Sequence, residues 1–216
     1  MQPDDSIVKI AQRIQSASRI SVITGAGVSA ASGVPTFRGE EGLWKNFSPQ
    51  ELATPEAFRK DPKLVWEWYD WRRALISKCN PNAAHMVLAS WSKRYPGFTL
   101  ITQNVDGLHE KAGAQDVIRF HGSLWDVFCW DRCKSSPARW FYDEVPVPSI
   151  PPSCPYCGGL IRPAVVWFGE AIESEVLRLS AAALDCEIFL TVGTSALVYP
   201  AAALVDQARQ KGAFTA

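Results

Sequence analysis

The sequence has no surplus of charge of either sign. Lys and Arg number 22, Asp and Glu number 22, and charged residues make up 20% of its 216 positions. That balance indicates no strong electrostatic attraction to nucleic acid, which is therefore not an expected partner, while 47% apolar residues argue against a chain too polar to fold. The sequence also lacks any apolar run long enough to cross a bilayer, so a membrane is not an expected partner either. A basic start with an apolar stretch and cleavage site is missing, as is an Arg-rich transit pattern. Instead, Asp4 and Asp5 precede Ile7, Ile10, Ala11 and Ile14 at helical spacing, which predicts an amphipathic first helix. An intracellular, reducing location follows as the expectation, with cytoplasm, nucleus and mitochondrion all open. No internal repeat or low-complexity tract stands out. Histidine is scarce: His85, His109 and His121 are the only groups that ordinarily titrate near neutrality.

What is present alternates between two periodicities. Arg19–Thr24 reads as a buried strand that runs into a Gly-rich turn over 25–30. Residues 62–78 and 81–94 read as helices, 98–103 and 117–121 as second and third buried strands, and 164–168 and 187–192 as two more. A turn at Gly193-Thr194-Ser195 and a last helix over 200–211 follow. Strands alternating with helices predict an α/β fold with a doubly wound, parallel, Rossmann-like sheet. Residues 124–161 change character, becoming rich in Cys, Pro, Trp and Ser, and read as a small inserted module. The chain thus divides into 1–123 with 162–216 as the sheet domain and 124–161 as the module. A polar loop containing Pro35, Gly39, Gly42 and Pro49 has the length of a binding element, and a helical insertion covers about 40–80.

Four of the six cysteines fall into tight pairs, Cys129 with Cys133 and Cys154 with Cys157. Two such knuckles supply four thiolates, the donor set of a closed, structural, tetrahedral zinc site. Free thiols or a redox pair are the alternatives, and the second pair lacks the strand-helix context of a redox motif. Cys79 and Cys186 read as small buried hydrophobes.

Three features suit chemistry, each with an ordinary structural reading beside it. Gly25-Ala26-Gly27-Val-Ser29-Ala30 matches G-x-G-x-x-G/A after a strand, where glycines let a backbone approach a pyrophosphate; the same turn also joins strand to helix without a ligand. The acid that usually ends the second strand to bind ribose has no counterpart, since Glu40 and Glu41 lie in a loop. His121 ends a predicted strand at the face where open α/β sheets hold ligands, although a lone His is also a common structural residue. His85 reads as a packing or capping residue, and His109 as part of the turn after residues 103–106. Tyr69 and Arg72 stand three apart on one helix face, a phenol and a guanidinium able to grip a carboxylate. The same helix also reads as Trp66, Trp68, Tyr69 and Trp71 packing inward while Arg72 and Arg73 face solvent.

Taken together, Gly25-Ala-Gly-Val-Ser-Ala-Ala-Ser-Gly-Val-Pro-Thr-Phe-Arg38, Thr102-Gln-Asn-Val-Asp-Gly-Leu-His109, Phe120-His-Gly122, the cysteine pairs, Val166-Trp-Phe-Gly169 and Val192-Gly-Thr-Ser195 resemble the sirtuin family. They occur in the family's order over nearly the whole chain. The resemblance implies an NAD-dependent protein-lysine deacylase with a structural zinc, acting on acylated lysine side chains of proteins. It implies that the turns Gly25-Ala26-Gly27-Val-Ser29 and Gly193-Thr194-Ser195, with Phe37, Arg38, Gln103, Asn104 and Asp106, hold NAD. The acyl oxygen would attack the anomeric carbon as nicotinamide leaves, giving an alkylimidate. His121 would then act as general base toward a ribose hydroxyl, so that the acyl group departs as O-acyl-ADP-ribose. Ala53, Tyr69 and Arg72 are similar to the branch that removes succinyl, malonyl and glutaryl groups. Val166, Trp167 and Phe168 resemble the strand that pairs with an extended substrate peptide.

Plain deacetylation and ADP-ribosyl transfer are alternatives at the same site, and a catalytically weak NAD- and zinc-binding interaction module is an alternative of another class. A hydride-transferring dehydrogenase fits least, for want of the ribose acid. One departure stands out: sirtuins continue into another strand and a final turn that contacts the adenosine, motifs absent after Phe214-Thr-Ala216. An exposed sheet edge and weakened NAD binding are the expectation.

Overall fold

The computed structural model describes residues 5–36 and 48–216. Phe37 and Arg38, and with them Glu40 and Glu41, lie outside the described residues. The described elements run α1 (Asp5–Ser16), β1 (Arg19–Thr24), α2 (Gly27–Ala30), α3 (Pro49–Leu52), α4 (Pro55–Lys60), α5 (Pro62–Ile76), α6 (Ala83–Arg94), β2 (Gly97–Thr102), α7 (Leu108–Lys111), β3 (Ile118–Arg119), β4 (Gly122–Cys129), β5 (Trp140–Phe141), β6 (Ile161–Val165), α8 (Ser174–Ala182), β7 (Ile188–Val192), α9 (Leu204–Gln210) and β8 (Phe214–Thr215). A short 3-10 turn, Ala201–Ala203, opens the last helical stretch.

Local chemistry sets the helix starts. α5 begins at Asp61, whose carboxylate accepts from the Leu64 amide at 2.9 Å, and Pro62 fills the first position, where a missing N–H costs nothing. α6 opens with a reciprocal cap: Asn82 accepts from the Ala84 amide at 2.9 Å, and His85 Nδ1 accepts from the Asn82 amide at 3.3 Å. His85 thus caps as well as packs.

Five strands form one parallel sheet in the order β3-β2-β1-β7-β8. Its central strands are mainly apolar, broken only by small hydroxyl residues such as Ser21, Thr99 and Thr191, because both faces are covered. Ile20, Val22, Leu100, Ile188 and Leu190 pack with Leu88 of α6 and half-buried Ile10 and Ile14 of α1; Ile23, Ile101, Phe120 and Phe189 pack with Leu204 and Ala208 on the other face. The winding reverses at β1, so the crevice at the carboxyl ends of β1 and β7 is the topological switch point. β8 lies along β7 at one end of the sheet, with Ile188 opposite Phe214.

The segment read as a strand over 164–168 needs correction. The strand is β6, Ile161–Val165, and it runs antiparallel to β4 in a second sheet of order β5-β4-β6. A short buried run shows that a strand is covered on both sides, but not which sheet it joins. Val166, Trp167 and Phe168 therefore leave the strand. Their amides are taken by His121 O at 2.9 Å, the Glu170 carboxylate at 2.8 Å and Ala53 O at 2.9 Å. A third core, with Phe58, Trp66, Tyr69, Leu124, Val127, Ile161 and Trp167, joins helices α3 to α5 to the small sheet.

Candidate active site and metal centre

At the switch point, the turns after β1 and β7 interlock. Gly193 sits at φ +62°, and a Cβ there would meet Val28 N at 2.2 Å; a Cβ on Gly25 would meet Thr194 Cβ at 2.6 Å. The Gly25 and Gly27 amides donate to Val192 O at 3.1 Å and Gly193 O at 2.7 Å. These glycines therefore serve contact between two turns, and their own N–H groups are spent within the protein. Among the described residues, the amides of Ala26, Gly193, Thr194 and Ser195 donate to no protein acceptor. Four unspent donors, one at the head of the β1–α2 turn and three on the facing turn after β7, suit an anionic group such as a pyrophosphate.

Beneath the turn lies a buried polar cluster. Ser29 Oγ donates to Asp106 Oδ2 at 2.7 Å and accepts from Asn104 Nδ2 at 3.1 Å. Because His85 Nδ1 accepts from its helix cap, Nε2 carries the ring proton and meets Ser29 Oγ at 3.3 Å. Asp106 also accepts from the Leu108 amide at 2.9 Å, yet burial pushes its carboxyl above the usual range. Asn104 Nδ2 reaches Gly25 O at 3.1 Å, leaving Oδ1 without a donor among the described residues. His109 is buried in α7, beyond the turn expected for it. Thr24 Oγ1 donates to Thr102, so His109 Nε2 donates to Thr24 at 2.9 Å and Nδ1 stays bare. The two imidazoles lie 4.8 Å apart. Burial, then the neighbouring His85, hold His109 down to about 4, and burial also lowers His85.

Gln103 ties three strand ends together. Its amide donates to Thr24 O at 3.0 Å, its side chain to Thr194 Oγ1 at 2.9 Å, and its carbonyl pairs with His121 Nδ1 at 3.1 Å. A carbonyl only accepts, so neutral His121 keeps its proton on Nδ1 and presents a bare Nε2. Burial pushes its pKa down, and the Gln103 carbonyl partly offsets this. His121 is therefore a base that stays neutral somewhat below the usual histidine range.

The imidazole lines a cavity of about 450 Å³ whose wall includes Ala53, Trp68, Tyr69, Arg72, Trp167 and Phe168. Tyr69 is 2% and Arg72 7% exposed, and Arg73 is fully buried, so neither arginine faces solvent. Trp71, read as a packing residue, is 45% exposed instead. The Arg72 guanidinium lies over Trp68 at 4.8 Å, and burial lowers its pKa against the opposing pull of Tyr69 and Asp106. The apolar mouth residues Ile172, Leu177, Val198 and Tyr199 gave no signal in the sequence, because singly placed surface hydrophobes are ordinary. Arg162 and Glu170 were also missed; they pair through two contacts at 2.6 and 3.0 Å, Glu170 lining the cavity and Arg162 outside its lining, eight residues apart with no helical spacing to link them.

The four sulfurs of Cys129, Cys133, Cys154 and Cys157 lie within 4.8 Å of one another, with Cys129 to Cys157 at 3.7 Å and Cys133 to Cys154 at 4.0 Å. Tetrahedral zinc-thiolate bonds of about 2.3 Å would set sulfurs roughly 3.8 Å apart, so the cluster fits the ion. Cys129 ends β4 and Cys154 precedes the return into β6, which places the knuckles at the head of the small sheet.

Residues 25–200 match the Sir2 family. The chain is 53% identical over 195 residues to an NAD-dependent protein deacylase of Aquifex aeolicus, covering 90% of this chain and 80% of that protein. It is also similar to the solved structure of a Sir2 homolog–NAD complex, with a TM-score of 0.87 and 42% identity over 96% of this chain and 80% of the other. A Sir2–p53 peptide–NAD+ structure matches with a TM-score of 0.83 and 29% identity, over 96% of this chain and 83% of the other.

Two outcomes follow from this geometry. Stripping the metal with a chelator should release about one zinc per chain and lower the thermal midpoint by on the order of 10 °C, read by metal analysis and calorimetry; an unchanged midpoint after zinc release would contradict the assignment. The buried histidines give a pH dependence of known sign. His109, at about 4 when folded against an ordinary 6.5, contributes stability that is complete above pH 6.5 and lost as pH falls toward 4. The loss should reach about 3 kcal/mol in urea unfolding. His109→Asn should flatten that slope.

Proposed function

The chain belongs to the Sir2 family and is an NAD-dependent protein deacylase, and we propose that it removes negatively charged acyl groups, succinyl, malonyl or glutaryl, from protein lysines. The observation that carries this reading is the pairing of Tyr69 and Arg72, two buried polar groups on the wall of the otherwise largely apolar cavity that also holds His121. A planar guanidinium suits a terminal carboxylate in two parallel hydrogen bonds, and a phenolic O–H adds a third. Ala53, with a single methyl at the same wall, supports the reading because a longer acyl chain needs the room.

The division of labour follows from the residues. Bound NAD supplies the ribosyl carbon that accepts the acyl oxygen. The free amides of Ala26, Gly193, Thr194 and Ser195 would hold its phosphates, and the open Oδ1 of Asn104 would accept from a hydroxyl or amide. Asp106 spends both carboxylate oxygens on Ser29 and Leu108, so its role at the cofactor is to fix the Ser29–Asn104 arrangement as much as to bind. His121 Nε2 would take the proton of a ribose hydroxyl, while the Gln103 carbonyl steadies the imidazolium that results. Phe37 and Arg38 are assigned to the cofactor from the family pattern alone. Val166, Trp167 and Phe168 would flank the peptide that carries the acyl-lysine; their amides are already engaged, so the peptide would pair with their carbonyls or with neighbouring backbone.

The test is kinetic. Arg72→Met should lower kcat/KM for a succinyl-lysine peptide by about 100-fold, the scale of one lost charged hydrogen-bonded contact, and should lower it far less for the matched acetyl-lysine peptide. Equal losses on both peptides would remove the acidic-acyl assignment and leave a general deacylase.

A further inference from the structure

The cavity's phenol is itself held in place from behind. Trp167 Nε1 donates to Tyr69 Oη at 2.8 Å, with both residues 2% exposed. An indole N–H can only donate, so the phenol oxygen must accept there, and the Tyr69 proton turns to the other in-plane position, away from Trp167. The indole is gripped in turn. The Arg162 guanidinium lies 3.2 Å from the Trp167 ring centroid and makes bonds of 2.6 and 3.0 Å to the two Glu170 oxygens; Glu170 Oε2 also accepts from the Trp167 amide at 2.8 Å. Arg162 further donates to Val165 O at 2.8 Å and is 2% exposed, so its guanidinium is buried with its charge paired to the half-buried Glu170.

We infer that Trp167, held by Arg162 and Glu170, is a positioning residue for acyl selectivity: it orients the Tyr69 hydroxyl so that its proton is available to an acyl carboxylate beside Arg72. An acetyl group has no carboxylate to receive that proton, so the arrangement discriminates between acyl groups. The inference rests on the acidic-acyl reading above.

A double-mutant cycle tests it, with kcat and KM measured separately on matched succinyl-lysine and acetyl-lysine peptides. Trp167→Phe removes the indole N–H and keeps an aromatic ring. It should lower the succinyl-to-acetyl ratio of kcat/KM by about fivefold, mostly through the KM for succinyl-lysine. In a Tyr69→Phe background the same change should move the ratio by less than about twofold, because the hydroxyl it orients is gone. Arg162→Lys keeps the charge but not the planar stack, and should reproduce the pattern more weakly; it serves as the second variant should Trp167→Phe fold poorly. Additive effects of Trp167→Phe and Tyr69→Phe, or an unchanged ratio in both Trp167→Phe and Arg162→Lys, would overturn the positioning role. If Tyr69→Phe alone leaves the ratio unchanged, or the unmodified protein shows no preference for succinyl-lysine, the acidic-acyl reading falls and takes this inference with it.

Discussion

The site depends on the close approach of two turns at the sheet's switch point, where Gly193 lies against the backbone of Val28 and Gly25 against Thr194. No larger residue fits at these contacts, and the amides of Gly25 and Gly27 lock the turns together. Gln103 extends the lock to a third strand end, since its amide, side chain and carbonyl reach Thr24, Thr194 and His121. The orientation of His121 is thereby set by the same contacts that shape the Gly25–Gly27 turn. A shift in one would be felt by the other, because packed interiors transmit displacement rather than absorb it.

The small sheet contributes more than a metal staple. Its core is continuous with that of helices α3 to α5, so Phe58, Trp66 and Trp167 stand between the cysteine knuckles and the acyl cavity. Phe58 contacts the rings of both Trp130 and Trp167, at 4.9 and 5.5 Å, and Trp130 directly follows Cys129. Zinc held at the knuckles would thus brace one wall of the cavity through a row of aromatic contacts. His121, the proposed general base, belongs to the other body, immediately before β4, and the cavity it lines forms where the two meet.

Much of this was legible in the sequence, for physical reasons particular to each feature. The parallel strands show as mainly apolar runs because both faces of the sheet are covered, and the cysteine pairs show as a zinc site because knuckle geometry fixes their spacing. Tyr69 and Arg72 could be placed on one helix face, but their spacing left open whether that face was solvent or cavity; burial of Arg72 decides it. The strand over 164–168 was placed in the wrong sheet because apolar content does not encode a partner. The function of the glycines was half visible: the motif marked a tight turn, but the turn's closest neighbour is Gly193, 168 positions after Gly25 in the chain. The Arg162–Glu170–Trp167–Tyr69 chain was invisible, since its members are joined only by tertiary folding.

The most direct measurement of the central claim is the identity of the product. The protein would be incubated with NAD and equal amounts of matched succinyl-lysine and acetyl-lysine peptides, and the nucleotide products followed by mass spectrometry. O-succinyl-ADP-ribose should form in step with nicotinamide, and faster than O-acetyl-ADP-ribose. Formation of O-acetyl-ADP-ribose alone, or measurable NAD binding with no turnover of either peptide, would contradict it.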